Sequence, residues 1–332
     1  MRTPNFWYNK SGLLSLIFLF PSFIYILAIT IYRILSRSYR SNIPVVCIGN
    51  ITVGGTGKTP ATIAITERLK GMGLKPQIVS RGYRGSEKGP LLVDNNIHSV
   101  NQVGDEPLLL SNYAPTWVSK KKVLGVKAAI QAGADIIILD DGFQNMSVYK
   151  DLSIVIADAS LGFGNEHIIP AGPLREKFTS GIKRADILIS IGSNKSQKKF
   201  SKKYDHLISE KNHVKAKITP LNTGMNWDKL RVLAFAGIGN PDKFFHTLRN
   251  LGAKIVLEKK LADHQKFDIK MLARLESEAL AANAQLVTTE KDAVRLPINF
   301  IKKILILPVR LEIDDWGLLD EALEMIISKK LI

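Results

Sequence analysis

Cysteine is almost absent from the 332-residue chain, which contains only Cys47. A single thiol excludes an internal disulfide and leaves no cysteine cluster that could hold a structural zinc ion. Because Cys47 lies within the apolar run Ile43–Ile48, we predict a small buried core residue in a protein of a reducing compartment.

Acidic residues are scarce relative to basic ones, at 30 Asp and Glu against 46 Lys and Arg, which gives a formal net charge of +16. Such an excess suits an anionic partner: nucleic acid, an acidic lipid surface or a phosphorylated substrate. A surface that is merely solvated by lysine has the same composition, so the net charge alone does not choose between these classes. The hydrophobic share of 45% is that of a globular protein with a full core, and the length allows two domains.

Charged residues are missing altogether from Ser11 to Tyr32, a stretch that would measure about 33 Å as one helix. Basic residues flank it on both sides: Arg2 and Lys10 precede it, and Arg33, Arg37 and Arg40 follow. Positive charge at both ends is a poor signal for crossing a bilayer, and Pro21 would interrupt the helix. We therefore predict a helix or helical hairpin that enters one leaflet, with its basic ends on anionic headgroups. A helix of the soluble core is the alternative.

The stretch Gly49–Pro60, GNITVGGTGKTP, has the composition of a phosphate-binding loop. It follows the buried strand predicted at Ile43–Ile48 and precedes helical spacing over Ala61–Leu69, which is the order that such a loop requires. Its glycines let backbone amides approach phosphate oxygens. The predicted ATP contacts are Thr52, Val53, Gly54, Gly55, Thr56, Gly57, Lys58 and Thr59. Lys58 would reach the β- and γ-phosphates and Thr59 would ligate Mg²⁺, while Thr52 departs from the usual pattern, which has glycine there.

Two carboxylates, Asp140 and Asp141, follow the aliphatic run Ile136–Leu139. In an open α/β sheet, ligands bind at the carboxyl ends of the strands. We predict that Asp140 or Asp141 reaches Mg²⁺, directly or through water, while a turn-capping role is open for either one alone.

Five further motifs accompany the glycine-rich stretch in chain order. They are SRGY at Ser80–Tyr83, VGDEP at Val103–Pro107, DDGFQ at Asp140–Gln144, PAGPLRE at Pro170–Glu176 and TTEKD at Thr288–Asp292. With them, the sequence resembles the tetraacyldisaccharide 4'-kinase family over nearly its whole length. The resemblance implies ATP-dependent phosphorylation of the 4'-hydroxyl of a tetraacylated glucosamine disaccharide 1-phosphate in lipid A biosynthesis. It also implies an enzyme of the bacterial inner membrane, peripheral or monotopic, whose catalytic domain faces the cytoplasm.

The resemblance assigns the catalytic carboxylate to Asp105 and a helping histidine to His264. Taken alone, Asp105 is as well explained as a turn residue and His264 as a surface histidine. Gln265 departs from the family, in which many members have a second histidine at that position. Glu106, immediately before a proline, is the less favoured base.

Other motif residues are assigned by type and position. Arg175 could neutralise γ-phosphate charge, with a solvated arginine as the alternative. The candidate substrate contacts are Arg81, Tyr83, Gln144 and Glu176.

Buried runs separated by helical patterns predict an α/β fold: a P-loop, doubly wound, mainly parallel sheet, a second smaller α/β domain and the N-terminal membrane-associated helix. The predicted strands are Ile43–Ile48, Gln77–Ser80, Thr116–Ser119, Ile136–Leu139, Leu152–Ala157 and Ile187–Ile191, and then Val232–Ala236, Lys254–Leu257, Gln285–Thr288 and Ile304–Leu307. The lysine-rich stretch Asn194–Lys217 is predicted as a helix plus a connector. The domains would be the membrane-associated segment 1–40, the kinase domain 41–220 and the C-terminal domain 221–332, which closes the cleft.

Two other classes of protein remain as alternatives. A membrane-attached P-loop switch ATPase would have a similar GGTGKT loop but usually has an extra lysine before the glycine pair, and it needs no Asp105–His264 pair. A nucleic-acid-binding protein rests on net charge alone, because no aromatic platform or basic recognition helix is recognisable. We therefore expect ATP, the lipid acceptor and an anionic membrane surface as partners, and no nucleic acid.

Overall fold

The structure, a computed structural model, describes residues 4–8, 12–208 and 211–331. The predicted flanking charges Arg2 and Lys10, and Ser11 at the start of the apolar span, lie outside these residues. The strands are β1 (Val45–Gly49), β2 (Pro76–Ser80), β3 (Leu91–Leu92), β4 (Thr116–Val118), β5 (Ile136–Asp140), β6 (Leu152–Asp158), β7 (Ile187–Ile191), β8 (Asn212–Pro220), β9 (Arg231–Ala236), β10 (Lys254–Lys260), β11 (Gln285–Thr289), β12 (Leu305–Leu307) and β13 (Val309–Ile313). The helices are α1 (Leu13–Ile17), α2 (Leu19–Leu35), α3 (Lys58–Gly71), α4 (Val100–Val103), α5 (Asp105–Leu110), α6 (Lys122–Gln131), α7 (Phe178–Arg184), α8 (Asn194–Ile208), α9 (Pro241–Asn250), α10 (Ile269–Ala281), α11 (Glu290–Ala293), α12 (Ile298–Ile301) and α13 (Gly317–Leu331).

The larger sheet has nine strands in the order β13-β8-β7-β6-β1-β5-β2-β4-β3. Neighbours from β8 to β4 are parallel, and the two edge strands β13 and β3 are antiparallel to theirs. The inner strands are apolar along their whole length because helices cover both faces of the sheet. Val46 and Ile48 of β1 pack with α3 and α13 on one face, and Val45 and Cys47 pack with α6 and α8 on the other. The predicted α/β fold with a mainly parallel sheet is confirmed.

Cys47 is fully buried, as predicted. Burial raises the pKa of its thiol to about 11, so the thiol stays protonated and unreactive.

A second, smaller sheet has the parallel order β10-β9-β11-β12, with α9 packed on one face and α10 on the other. The structure differs here from the predicted domain 221–332. Pro308 ends β12, and β13 then returns to the larger sheet, where Leu311 lies opposite Ile218 of β8. Leu319 and Leu323 of α13 also join the core of the larger sheet.

Strand β8 was missed in the lysine-rich stretch, where a helix and a connector were predicted. Only Val214 and Ala216 of this strand are buried, so its lysines hid the alternation of a strand with one covered face.

The apolar N-terminal span forms two helices, α1 and α2. The break falls at Phe18, ahead of Pro21, which lies in the first turn of α2, where a missing amide donor costs little. Tyr25 and Ile26 pack against the core, whereas Phe20, Phe23, Ile34 and other large apolar side chains on these two helices are exposed. Among the described residues, no helix combines the length and the apolar character needed to cross a membrane.

Candidate active site

The phosphate loop, residues 52–59, connects β1 to α3 at the centre of the larger sheet. Its backbone is left-handed at Gly54 (φ 112°) and at Gly57 (φ 93°), which directly precedes the helix. Asn50, which is fully buried, donates from Nδ2 to the Thr56 hydroxyl over 3.2 Å and so braces the turn from below.

Thr52 can replace the usual glycine because its backbone lies outside the left-handed region and pairs with another segment. It forms a bridge with Leu174, and the Val53 amide next to it donates to the Pro173 carbonyl over 2.7 Å. At this position the loop therefore makes a backbone contact that does not require glycine.

Replacing Gly57 by Ala should weaken ATP binding roughly tenfold, because a left-handed backbone costs about 1–2 kcal/mol in a non-glycine residue. The added Cβ would also lie 2.7 Å from Ile191 Cδ1. Gly71→Ala, at the other end of α3, is the matched control, since nothing lies within 4 Å of its Cβ position. Equal affinities for a fluorescent ATP analogue in the two variants would contradict this prediction.

Asp140 and Asp141 lie beside the phosphate loop because β5 pairs with β1, with Asp140 opposite Ile48. Asp141 is in the left-handed region (φ 48°), and its carboxylate lies 3.7 Å from Lys58 Nζ and 3.0 Å from Arg175 Nη1. Burial alone would raise the pKa of Asp141, but Lys58 and Arg175 outweigh it and hold the pKa below its usual value. Asp141 is therefore an ionised carboxylate between two cations.

Asp140 is buried and accepts a hydrogen bond from the Ser80 hydroxyl over 3.0 Å. Burial raises the pKa of this carboxyl, while Lys122 opposes the rise. The Lys122 ammonium is itself buried and donates to the carbonyls of Val79 and Asp140, each over 2.8 Å. Thr59 lies in the first turn of α3, half-buried.

The Asp105–His264 pair connects the lobe built on the larger sheet, which contains Asp105, with the lobe built on the smaller sheet, which contains His264. Asp105 is the first residue of α5, directly after Gly104, so it begins a helix. His264 has a left-handed backbone (φ 58°), its amide donates to the Gly237 carbonyl, and its Nδ1 lies 2.8 Å from Asp105 Oδ2. An ionised carboxylate only accepts, so Nδ1 carries the proton and Nε2 points away from Asp105.

The charges around this pair give two adjacent carboxyl groups, Asp105 and Glu106, different pKa values. Burial alone would raise the pKa of Asp105, but the hydrogen bond from His264 and the charge of Lys291 outweigh it and hold that pKa well below its usual value. For Glu106, burial raises the pKa, and Lys291, 2.6 Å away, only partly opposes this. Asp105 is therefore the carboxyl group of the two with the lower pKa.

The four candidate substrate residues fall into two groups. Arg81 and Tyr83 are exposed, and the Tyr83 ring stands edge-on to His264 at 5.9 Å between centroids. Gln144 donates to the Asn50 carbonyl and to Glu176, and Glu176 is buried with its other oxygen paired to arginines. Of these four residues, Arg81 and Tyr83 are the exposed ones, and Tyr83 lies beside His264.

Several site residues were not predicted from the sequence. Lys122 stands in a run of three lysines that suggests a solvated surface, and nothing in that pattern distinguishes the buried one. Asn50 had a local signal, its place directly before the phosphate loop. Asp292 had one too, as the last residue of TTEKD; it accepts from the Gly237 amide and so supports the turn that holds His264.

A phosphate loop after the central strand, an acidic pair on the neighbouring strand and a second α/β lobe that brings in a histidine define a P-loop kinase of the α/β class. The family model described as tetraacyldisaccharide-1-P 4'-kinase matches residues 12–328. The chain therefore belongs to the tetraacyldisaccharide 4'-kinase family.

Individual relatives agree with this assignment. The chain is 48% identical to the tetraacyldisaccharide 4'-kinase of Jannaschia sp., over 99% of this chain and 100% of the relative. It is 46% identical to that of Dinoroseobacter shibae, over 98% and 97% of the two chains. The crystal structure of LpxK from Aquifex aeolicus in complex with ATP shares the fold, with a TM-score of 0.73, 23% identity and coverage of 95% of this chain and 100% of that one.

Proposed function

We propose that the protein transfers the γ-phosphate of ATP to the 4'-hydroxyl of a tetraacylated glucosamine disaccharide 1-phosphate. The observation that carries this proposal is the Asp105–His264 contact of 2.8 Å between the two lobes, on the side of the phosphate loop. Burial lowers the pKa of Lys58, and Glu106, next to Asp105, is close enough for its charge to oppose that change. A switch ATPase does not require such a carboxylate–histidine pair.

Binding of ATP is assigned to the phosphate loop. The amides of residues 54–57 and the start of α3 would receive the phosphates, and the Lys58 ammonium would lie on the β- and γ-phosphates. Gly239 of the second lobe lies near this loop, since its Cβ position would be 3.8 Å from the Gly55 amide nitrogen. The nucleotide would therefore lie between the lobes.

The residues beside the loop fit Mg²⁺, which prefers oxygen ligands. Thr59 and Asp141 would hold the ion, and Asp140 would support it directly or through water. When bound, the ion neutralises charge on the phosphates.

In the transfer step, the 4'-hydroxyl oxygen forms a bond to the γ-phosphorus, and the bond from that phosphorus to the bridging oxygen of ADP breaks. The hydroxyl proton passes to the Asp105 carboxylate, which His264 orients through Nδ1–H. A loose transition state demands little of the base, so a carboxylate of low pKa is sufficient. Arg175 would stabilise the negative charge that moves toward ADP.

The lipid acceptor would be presented by an anionic membrane surface. The exposed apolar side chains of α1 and α2 would enter one leaflet, and the excess of basic residues would favour acidic headgroups. We place the protein at the bacterial inner membrane on its cytoplasmic side, with Arg81 and Tyr83 toward the sugar or its phosphate.

The test is transfer from γ-labelled ATP to the tetraacyldisaccharide 1-phosphate in mixed micelles. The control acceptor is the same lipid with its 4'-hydroxyl blocked. Label should enter only the lipid with a free 4'-hydroxyl. ATP hydrolysis that rises with vesicles, without labelled lipid, would instead establish the switch ATPase.

A further inference from the structure

We name the segment of residues 165–176 the bridging loop. Its residues 168–171 bind the N-terminal segment. Ser22 of α2 donates to the Ile168 carbonyl over 2.8 Å, and the Ala171 amide donates back to the same hydroxyl over 3.2 Å. Ahead of the helices, the Trp7 indole donates to the Pro170 carbonyl over 2.9 Å. These polar contacts fix the apolar helices to one short loop.

Residues 173–175 of the bridging loop pair with the phosphate loop and with Ile51 just before it. Besides the Thr52–Leu174 bridge, the Arg175 amide donates to the Ile51 carbonyl over 2.8 Å. The Arg175 side chain extends to Asp141, while residues 168–171 of the same loop contact the N-terminal segment.

An ionic contact links α2 directly to this arrangement. Arg33, in the last turn of α2, pairs with the buried Glu176 carboxylate, which also pairs with Arg184 over 2.6 Å. The second oxygen of Glu176 accepts from Gln144 Nε2 over 3.0 Å. The same amide nitrogen donates to the Asn50 carbonyl below the phosphate loop, and Gln144 Oε1 lies 3.4 Å from Arg175 Nη1.

We propose that the N-terminal helices are a positioning element of the active site, and that Arg33 is the positioning residue through which they act. By holding Glu176, Arg33 fixes Gln144, and Gln144 fixes Arg175 and the base of the phosphate loop. The proposal deepens the proposed function and rests on it. Helices seated in a membrane would then set the geometry for transfer as well as hold the protein at its lipid substrate.

The charges around Glu176 explain why Arg33 can position neighbouring side chains without being needed for folding. Removing one partner of a buried ion pair is costly when the other charge is left alone. Glu176 would still have Arg184, so its charge stays compensated when Arg33 is changed. What is lost is the second anchor of the carboxylate and its link to α2, and misplacement of a catalytic group by about 1 Å can lower turnover about 10²-fold.

The test compares Arg33→Gln with Arg37→Gln and Arg33→Lys in mixed micelles at saturating lipid and ATP. Arg37 is exposed two residues beyond α2, so its replacement removes the same charge from the same helix end without touching Glu176. We expect kcat of Arg33→Gln to be at least tenfold below that of Arg37→Gln, with equal KM for the lipid, equal binding to anionic vesicles and equal melting temperatures. Arg33→Lys should recover most of the loss.

Two results would overturn the proposal. Equal kcat in the two glutamine variants would mean that the contact is structural, and a higher KM for the lipid at unchanged kcat would make Arg33 a lipid-binding residue. If the wild type forms no labelled lipid, the proposed function itself fails and the inference falls with it, so the wild-type assay separates the two cases.

A double variant gives an independent check. Because Arg33 acts through Glu176, Arg33→Gln should add no further loss of kcat to Glu176→Gln. Additive losses would show that the two residues act separately and would overturn the proposed coupling.

Discussion

Asp105→Asn should lower kcat by about a thousandfold, or about 4 kcal/mol, while the affinity for ATP stays within about threefold. Asparagine keeps the shape of the side chain, and its amide oxygen can still accept from His264 Nδ1. It cannot take the proton of the attacking hydroxyl. The loss should therefore appear in the transfer step and not in nucleotide binding, as rapid-quench transfer kinetics and a separate ATP-binding titration can measure.

Glu106→Gln is the matched comparison, because it neutralises the adjacent buried carboxyl, whose pKa is raised by burial. We expect a much smaller loss of kcat in this variant, since Glu106 pairs with Lys291 and does not contact His264 Nδ1. If the two variants lost equal activity, or if Asp105→Asn lost ATP affinity in the same proportion as kcat, the assignment of Asp105 as the base would be rejected.

The parts of the site that the sequence predicted are those formed by neighbours along the chain. A glycine-rich turn after an apolar strand specifies its own conformation, and two aspartates at the end of another apolar strand reach it because parallel strands share one carboxyl edge. Both predictions need only the local sequence pattern and the rules for open sheets.

The Asp105–His264 pair had no such signal, because the two residues are 159 positions apart and neither has a distinctive local pattern. Only the family resemblance brought them together. The C-terminal limit of the second lobe was missed for a related reason. The return of β13 to the larger sheet is a long-range pairing with β8, and neither strand is apolar enough to predict it.

Arg33 shows how an interpretation from local sequence can miss a contact. As one of several arginines after an apolar span, it reads as a headgroup-binding charge, and the sequence gives no reason to separate it from Arg37. The structure distinguishes them, because α2 ends beside the buried Glu176 and only Arg33 reaches it among the described residues near that helix end. The difference depends on the docking of the helix on the bridging loop, which is tertiary and not local.

Lys58→Ala should lower kcat/KM for ATP by about a thousandfold, with most of the loss in kcat. Lys58 is the first residue of α3, and burial lowers the pKa of its ammonium while Asp141 opposes this, so the cation is fixed beside an ionised carboxylate. A preorganised charge of this kind stabilises the transition state more than the bound substrate, and removing one such donor typically costs about 10²–10³-fold in turnover. Asp141 would keep Arg175 as a partner at 3.0 Å, so the variant should remain folded.

The control for this variant is Lys70→Ala, which removes an exposed lysine from the far end of the same helix. Its transfer rate should stay within about twofold of wild type, as expected for a surface substitution. Steady-state transfer kinetics at several ATP concentrations separate the two kinetic constants for Lys58→Ala. A higher KM for ATP at unchanged kcat would mean that Lys58 binds ground state and transition state equally, and its assigned place on the transferring phosphate would then be wrong.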